Sequence, residues 1–245
     1  MNLLAESWIP VRASDGQRVW IRPCQLSHPA WVAFDADRAD FNGALAQFAI
    51  ALLQSSMAPK SVARWKRLLA TPPDEAALQA AFEPHAAAFE LDGDGPRFMQ
   101  DFDLRAADGD AVNISSLLIE SPGENTIKNN SDHFIKRDHV RLMCPHCAGL
   151  ALFTLQTNAP SGGAGNRTGL RGGGPLTTLL LANQDAGGDA PLWRTLWLNV
   201  LEQVVLSPIG DDPESDELFR IFPWMASIGR IQKAGGETAF AVDEA

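Results

Sequence analysis

Two cysteines three positions apart form the sharpest short motif of the sequence, Cys144-Pro-His-Cys147. A C-x2-C pair at the start of a helix brings two thiolates to one side, which suits a tetrahedral zinc site. A complete structural site needs further ligands, and Cys24 is a poor third one on spacing. A redox dithiol and a pair of packed, unliganded cysteines are the alternatives. Zinc is favoured because no strongly apolar strand precedes the motif.

A glycine-rich tract between Pro160 and Pro175 is the second feature that could carry function. Glycines let the backbone approach a ligand closely, as phosphate-binding and groove-binding loops require. The tract is not a P-loop, because no Gly-Lys-Ser/Thr closes it. It is not a dinucleotide fingerprint either, because a predicted strand follows it. A flexible loop without a ligand is the alternative interpretation.

The distribution of charge bears on a nucleic-acid function. The net charge of −10 discourages one, because phosphate binding needs Lys and Arg. Residues 127–184, however, contain six basic and two acidic residues, and no acid interrupts Cys144 to Gln184. A basic island on an acidic body is compatible with focused contact to a polyanion, with chance clustering as the alternative.

The sequence contains no persuasive catalytic set. None of the five histidines stands in an H-E-x-x-H or H-x-E arrangement, and no G-x-S-x-G is present. His85 is predicted to be a surface residue of an alanine-rich helix. Trp193 and Trp197 are predicted core residues. We therefore expect no enzymatic activity.

Patterns around these motifs predict a mixed α+β fold. The predicted elements are a hairpin within Trp8–Ile21, helices over Asp40–Met57, Thr71–Phe89, Pro145–Thr157 and Leu192–Leu206, a loop over Ser121–Arg137, a buried strand over Leu176–Ala182 and a polar region from Asp211 onward. A hydrophobic share of 45% is typical of a globular protein. No apolar run is long enough to span a membrane, and the N-terminus lacks the pattern of a signal peptide. We therefore expect a cytoplasmic location without a membrane partner.

Four stretches together resemble a known family. They are Met1-Asn-Leu-Leu with Trp8-Ile-Pro-Val-Arg12, Pro96-x-Phe-Met-Gln100, the Cys144-x-x-Cys147 pair leading into Ala151-Leu-Phe153, and Ala159-Pro with Gly169-Leu-Arg-Gly-Gly-x-Pro-x-Thr-Thr178. In order and spacing the chain resembles the CasA-type large subunit of type I-E Cascade, an RNA-guided antiviral complex. The resemblance implies an N-terminal mixed α/β domain, followed in the family by a four-helix bundle that nothing here resembles. We therefore expect residues 1–245 to form one N-terminal domain of a fragment or truncated chain.

The resemblance also implies roles for individual residues. A loop holding Phe134, Ile135 and Lys136 would contact the crRNA 5′ handle and a neighbouring Cascade subunit. The family's glycine loop, which enters the minor groove of double-stranded target DNA beside the protospacer-adjacent motif, corresponds to Ser161, Gly162, Gly163, Ala164 and Gly165, with Arg167 and Arg171 in the same tract.

Three further expectations concern partners and alternatives. Cys144 and Cys147 would hold zinc together with ligands beyond residue 245. Target binding would support recruitment of the helicase-nuclease. The alternatives are a zinc-containing nucleic-acid-binding protein outside Cascade and a thioredoxin-like oxidoreductase that uses the cysteine pair.

Overall fold

A small antiparallel sheet opens the chain. The computed structural model describes residues 1–108, 110–135, 139–158, 177–183, 190–203 and 217–227. Strand β1 (Ile9–Ala13) pairs with β2 (Arg18–Ile21), and Gly16 provides the positive φ of 86° that the connecting turn needs. The predicted hairpin is confirmed. A third strand that the sequence did not predict, β3 (Trp31–Phe34), pairs with the other edge of β1, which gives the order β2-β1-β3.

Helix α1 (Ala39–Met57) is the central element, and it confirms the helix predicted from Asp40 to Met57. The ring of Phe48 lies at the centre of the core and makes edge-on contacts with four aromatic rings. Its neighbours are Trp8 at 5.2 Å, Phe153 at 5.6 Å, Phe89 at 5.9 Å and Phe98 at 6.2 Å between centroids. Edge-to-face pairs of this kind add stability beyond the area that they bury.

Two helices follow α1. Helix α2 (Val62–Ala70), which was not predicted, begins after Ser61, whose side chain accepts from the Arg64 amide at 3.3 Å. Helix α3 (Glu75–Phe82) begins after Asp74, whose carboxylate accepts from the Ala77 amide at 2.8 Å. The helix predicted over Thr71–Phe89 is therefore shorter at both ends. The chain continues as a 3-10 helix over Glu83–Phe89, because Pro84 removes a backbone donor.

Four further α-helices lie in the described ranges after α3. They are α4 (Glu124–Lys128), α5 (Pro145–Asn158), α6 (Leu192–Leu198) and α7 (Glu217–Ile221). Helix α5 confirms the prediction over Pro145–Thr157. Helix α6 ends at Leu198 rather than at Leu206, because the side chain of Asn199 turns back to donate to the Thr195 carbonyl at 2.8 Å.

Three other predictions need correction. Of the strand predicted over Leu176–Ala182, Leu176 lies outside the described residues and residues 177–182 have no regular structure; Leu180 and Leu181 are 60% and 74% exposed rather than buried. The region after Asp211 is not uniformly polar, because Phe219 and Phe222 are buried. His85 is half-buried rather than on the surface, since its ring packs edge-on against Phe222 at 5.3 Å.

The predicted core tryptophans and the fold class are confirmed. Trp193 and Trp197 are buried and stack at 5.2 Å between ring centroids. One hydrophobic cluster joins the sheet to the helices, so the fold is mixed α+β. No helix in the described ranges is long and apolar enough to cross a membrane.

Candidate nucleic-acid interface

The predicted RNA-contacting loop is partly visible and carries an accessible aromatic ring. Phe134 is fully exposed, with a relative accessibility of 102%, and Ile135 beside it is half-buried. Lys136 lies outside the described residues. The region predicted as a loop over Ser121–Arg137 also contains the short helix α4. An exposed phenylalanine in a polar segment is suited to stacking on a nucleobase.

A cavity of about 420 Å³ lies behind this loop. Ile127 and Ile135 line it with apolar surface, while Ser121, Glu120 and His139 contribute polar groups. The segment thus borders a pocket with both apolar and polar walls.

Arg38, at the start of α1, connects this segment to α1 through Glu120. Its guanidinium donates to both carboxylate oxygens of Glu120 at 2.8 and 2.7 Å. It also donates to both oxygens of Asp40 at 3.0 and 2.8 Å, and it lies 5.1 Å from the centroid of the Phe41 ring. These hydrogen bonds hold the pKa of Glu120 below its usual range. Arg38 therefore connects the predicted RNA-contacting loop to the central helix, a role that no sequence motif indicated.

The cysteine pair has the local geometry of half a zinc site. Cys144 is exposed and Cys147 is half-buried at the start of α5, and the amide of Cys147 donates to the Cys144 sulfur at 3.3 Å. Burial raises the pKa of the Cys147 thiol to about 11, and the hydrogen-bonded Cys144 thiol is a further cause. Within the described part of the chain, no group of three or more His, Cys, Asp or Glu residues could hold a metal ion. The pair therefore supplies two ligands of the four or so that structural zinc takes.

The surroundings of the pair differ from those of a thioredoxin-like redox motif. Residues 139–144, which precede α5, have no regular structure, whereas a redox dithiol normally follows a buried strand. The described sheet is formed by β1, β2 and β3, all before residue 35.

The glycine-rich tract itself lies outside the described residues. This holds for each predicted DNA-binding residue, namely Ser161, Gly162, Gly163, Ala164, Gly165, Arg167 and Arg171. The residues on either side of it are described, and both contact Gln47 of α1. The Gln47 amide donates to the side chain of Asn158 at 3.4 Å, and the Thr177 hydroxyl donates to Gln47 at 3.4 Å.

Gln47 is therefore a functional candidate that the sequence analysis missed. It is 9% exposed among the apolar residues of α1, and it brings the two ends of the glycine tract to one point on that helix. A polar residue at a core position of an apolar helix was the available signal, because a buried amide needs hydrogen-bond partners.

Comparison with known proteins identifies the class to which the chain belongs, the CRISPR-associated proteins. A sequence model of the family described as CRISPR-associated protein Cse1 matches residues 2–241, so the chain belongs to the Cse1 family. The resemblance to the CasA-type subunit is thereby confirmed, since one similar structure carries both names, Thermus thermophilus CasA (Cse1).

Solved structures agree with this assignment at the level of the fold. The chain is similar to Thermobifida fusca Cse1, with 20% identity, a TM-score of 0.56 and coverage of 82% of this chain and 39% of that one. Acidimicrobium ferrooxidans Cse1 gives 24% identity, a TM-score of 0.55 and coverage of 87% and 41%. Thermus thermophilus CasA gives 19% identity, a TM-score of 0.54 and coverage of 96% and 46%. The chain thus spans less than half the length of these structures.

Proposed function

We propose that this protein is a subunit of type I-E Cascade that recognises the protospacer-adjacent motif of double-stranded DNA and has no enzymatic activity of its own. The observation that carries the proposal is the match to the Cse1 family over residues 2–241. In this role the protein assembles with other Cascade subunits and crRNA, positions target DNA for pairing with the guide, and supports recruitment of the helicase-nuclease.

The glycine tract is the proposed DNA-reading element. The minor groove offers a degenerate pattern, so a backbone loop there reads groove width and the guanine amino group rather than a full sequence. A loop that enters a groove must be held firmly at its base. Gln47 supports this assignment, because its amide contacts Asn158 and Thr177 at the two ends of the tract. Arg167 and Arg171 add charge for the flanking phosphates.

The loop around Phe134 is the proposed contact with the crRNA 5′ handle. Its exposed ring supports base stacking, and Lys136 supplies a charge for a phosphate. Sequence reading is then left to pairing with the guide RNA, as in other RNA-guided effectors.

Zinc is the proposed structural ion at Cys144 and Cys147. Two sulfurs on one turn fit one half of a tetrahedral site. The other ligands would come from residues beyond 245, and the ion would then tie α5 to that part of the protein.

Substitution of Gly163 tests the DNA-reading assignment. We expect Gly163→Asp to weaken binding of motif-bearing duplex DNA far more than Gly163→Ala, because it adds both bulk and repulsion from phosphate. Binding of a matching single-stranded target, with the guide held constant, should change little. A folded Gly163→Asp complex that retains duplex binding would contradict the assignment, and thermal unfolding of each variant checks the fold.

A further inference from the structure

A cluster of basic residues lies on and just before α2, and it belongs to none of the three candidate sites described above. Residues 41–73 contain four basic residues and no acid, in a protein whose net charge is −10. The four are Lys60, Arg64, Lys66 and Arg67, and all are exposed. In the described part of the chain, no carboxylate lies within 4 Å of any of their charged groups.

Arg67 lies in the last turn of α2, where the helix dipole favours a cation, but two other features of this arrangement oppose the stability of the helix. Arg64 and Arg67 lie three residues apart, a spacing at which like charges repel by a few tenths of a kcal/mol. Arg64 also lies in the first turn, where the helix dipole disfavours a cation, and no acidic residue stands there to offset it. Solubility does not require these cations, because the chain already carries a large net charge. An external anion would relieve both the repulsion and the dipole conflict.

The helix holds its basic face outward on a rigid support. Trp65 donates its indole N–H to the Val200 carbonyl at 2.9 Å. In return, Trp193 donates to the Leu68 carbonyl and Trp197 donates to the Trp65 carbonyl, both at 2.9 Å. These bonds fix α2 against α6, so the cations project from a fixed frame rather than from a loose segment.

The position of α2 in the fold indicates whether its cations would contact target DNA or crRNA. Gln47, at the base of the glycine tract, lies ten residues before the end of α1, which is about 15 Å along the helix axis. Two hydrogen bonds hold the chain near this end of α1, because Gln54 accepts from the Leu201 amide at 2.7 Å and the Gln203 amide donates to the Pro59 carbonyl at 3.0 Å. Arg38 and the loop around Phe134 belong to the opposite end of α1. Helix α2 begins after the C-terminal end of α1, so it lies nearer to Gln47 than to Arg38, which favours the proposed DNA-reading element over the proposed crRNA contact.

We propose that Lys60, Arg64, Lys66 and Arg67 bind the phosphate backbone of duplex target DNA beside the site that the glycine tract reads. The proposal rests on the proposed function for the identity of the duplex. The contact is independent of sequence, because phosphates carry no base information. It adds affinity and register to a recognition loop that is too small to hold a duplex alone.

The test compares two double variants of the full-length protein in the assembled complex. Arg64→Gln/Arg67→Gln removes two of the proposed phosphate contacts. Arg97→Gln/Arg105→Gln is the control, because neither arginine belongs to α2 and, among the described residues, neither forms an ion pair within 4 Å. Duplex binding is measured between about 50 and 200 mM salt, on targets with and without the recognition motif.

The α2 variant should lower the slope of log affinity against log salt by about 2, with equal loss on both targets and roughly tenfold or more weaker binding near 0.1 M salt. The control should match the wild type. An unchanged slope in a folded α2 variant overturns the proposal, as does a loss confined to single-stranded RNA or to complex assembly. Failure of the wild-type complex to prefer motif-bearing duplexes would instead refute the proposed function.

Discussion

Breaking the Arg38–Glu120 pair should release the segment that carries Phe134 without unfolding the protein. Arg38→Gln removes a two-pronged contact in which both carboxylate oxygens of Glu120 accept at 2.7–2.8 Å. The two side chains are 32% and 34% exposed, so the pair is neither free in solvent nor fully buried. The segment behind Phe134 would then lose its attachment to α1.

The size of the effect follows from this intermediate burial. Exposed ion pairs contribute about 0.2–1 kcal/mol, whereas hydrogen bonds to charged groups contribute about 1.5–3 kcal/mol. A coupling free energy of about 1.4 kcal/mol between Arg38 and Glu120 lies between these ranges. That value corresponds to a tenfold change in the local opening equilibrium.

Hydrogen exchange at two amides next to Glu120 measures this opening. The Leu118 amide donates to Ser115 at 3.0 Å, and the Ser121 amide donates to Leu118 at 2.9 Å. Both should exchange about ten times faster in Arg38→Gln. A double-mutant cycle with Glu120→Gln, read by denaturant unfolding, should give the same coupling free energy.

A control separates this contact from general charge effects. Arg18 also contacts two carboxylates, those of Asp35 and Asp37, but on the outer face of the sheet. Arg18→Gln should leave exchange at Leu118 and Ser121 unchanged. Unaltered exchange at these amides in Arg38→Gln, or a coupling free energy near zero, would refute the anchoring role of Arg38.

Two further predictions concern the other candidate residues. Full-length protein should contain about one zinc ion by elemental analysis, lost in Cys144→Ser/Cys147→Ser, and a well-folded metal-free protein would contradict the zinc assignment. Phe134→Ala/Lys136→Ala should reduce incorporation into the crRNA-bearing complex by native mass spectrometry, while Leu142→Ala, which truncates a side chain that is 91% exposed, should not. Equal occupancy for Phe134→Ala/Lys136→Ala and Leu142→Ala would show that the loop is not an assembly contact.

Sequence patterns predicted the elements that are encoded by their own residues. The turn residues Asp15-Gly16 identified the hairpin, and the helical spacing of apolar residues identified α1 and α5. Strand β3 was not predicted because its four residues, all half-buried, show no alternation of apolar and polar side chains. Helix α2 was not predicted because only Leu68 among its nine residues is buried.

Long-range contacts explain the errors in the second half of the chain. The leucines before Ala182 read as a buried strand, yet residues 177–183 are held by side chains instead. Asn199 bonds both the amide and the carbonyl of Leu180, at 2.8 and 2.9 Å, and Thr195 accepts from the Ala182 amide at 3.2 Å. These contacts satisfy the backbone without a neighbouring strand, so Leu180 and Leu181 remain exposed. No local pattern encodes such pairings.

Net charge was the least informative property of this sequence, because the fold sorts the charges. Two segments without acidic residues, 41–73 and 144–184, are far apart in the sequence. They meet in the structure, where Phe48 of α1 packs on Phe153 of α5 and Gln47 bonds Asn158. The remainder of the chain carries the acidic excess behind the net charge of −10, and the screening length of about 8 Å at physiological salt limits how far its repulsion of DNA reaches. In the proposed function, the exposed cations of α2 attract DNA that the acidic remainder of the chain disfavours, so weak contacts there sample many sites without trapping the complex on any of them.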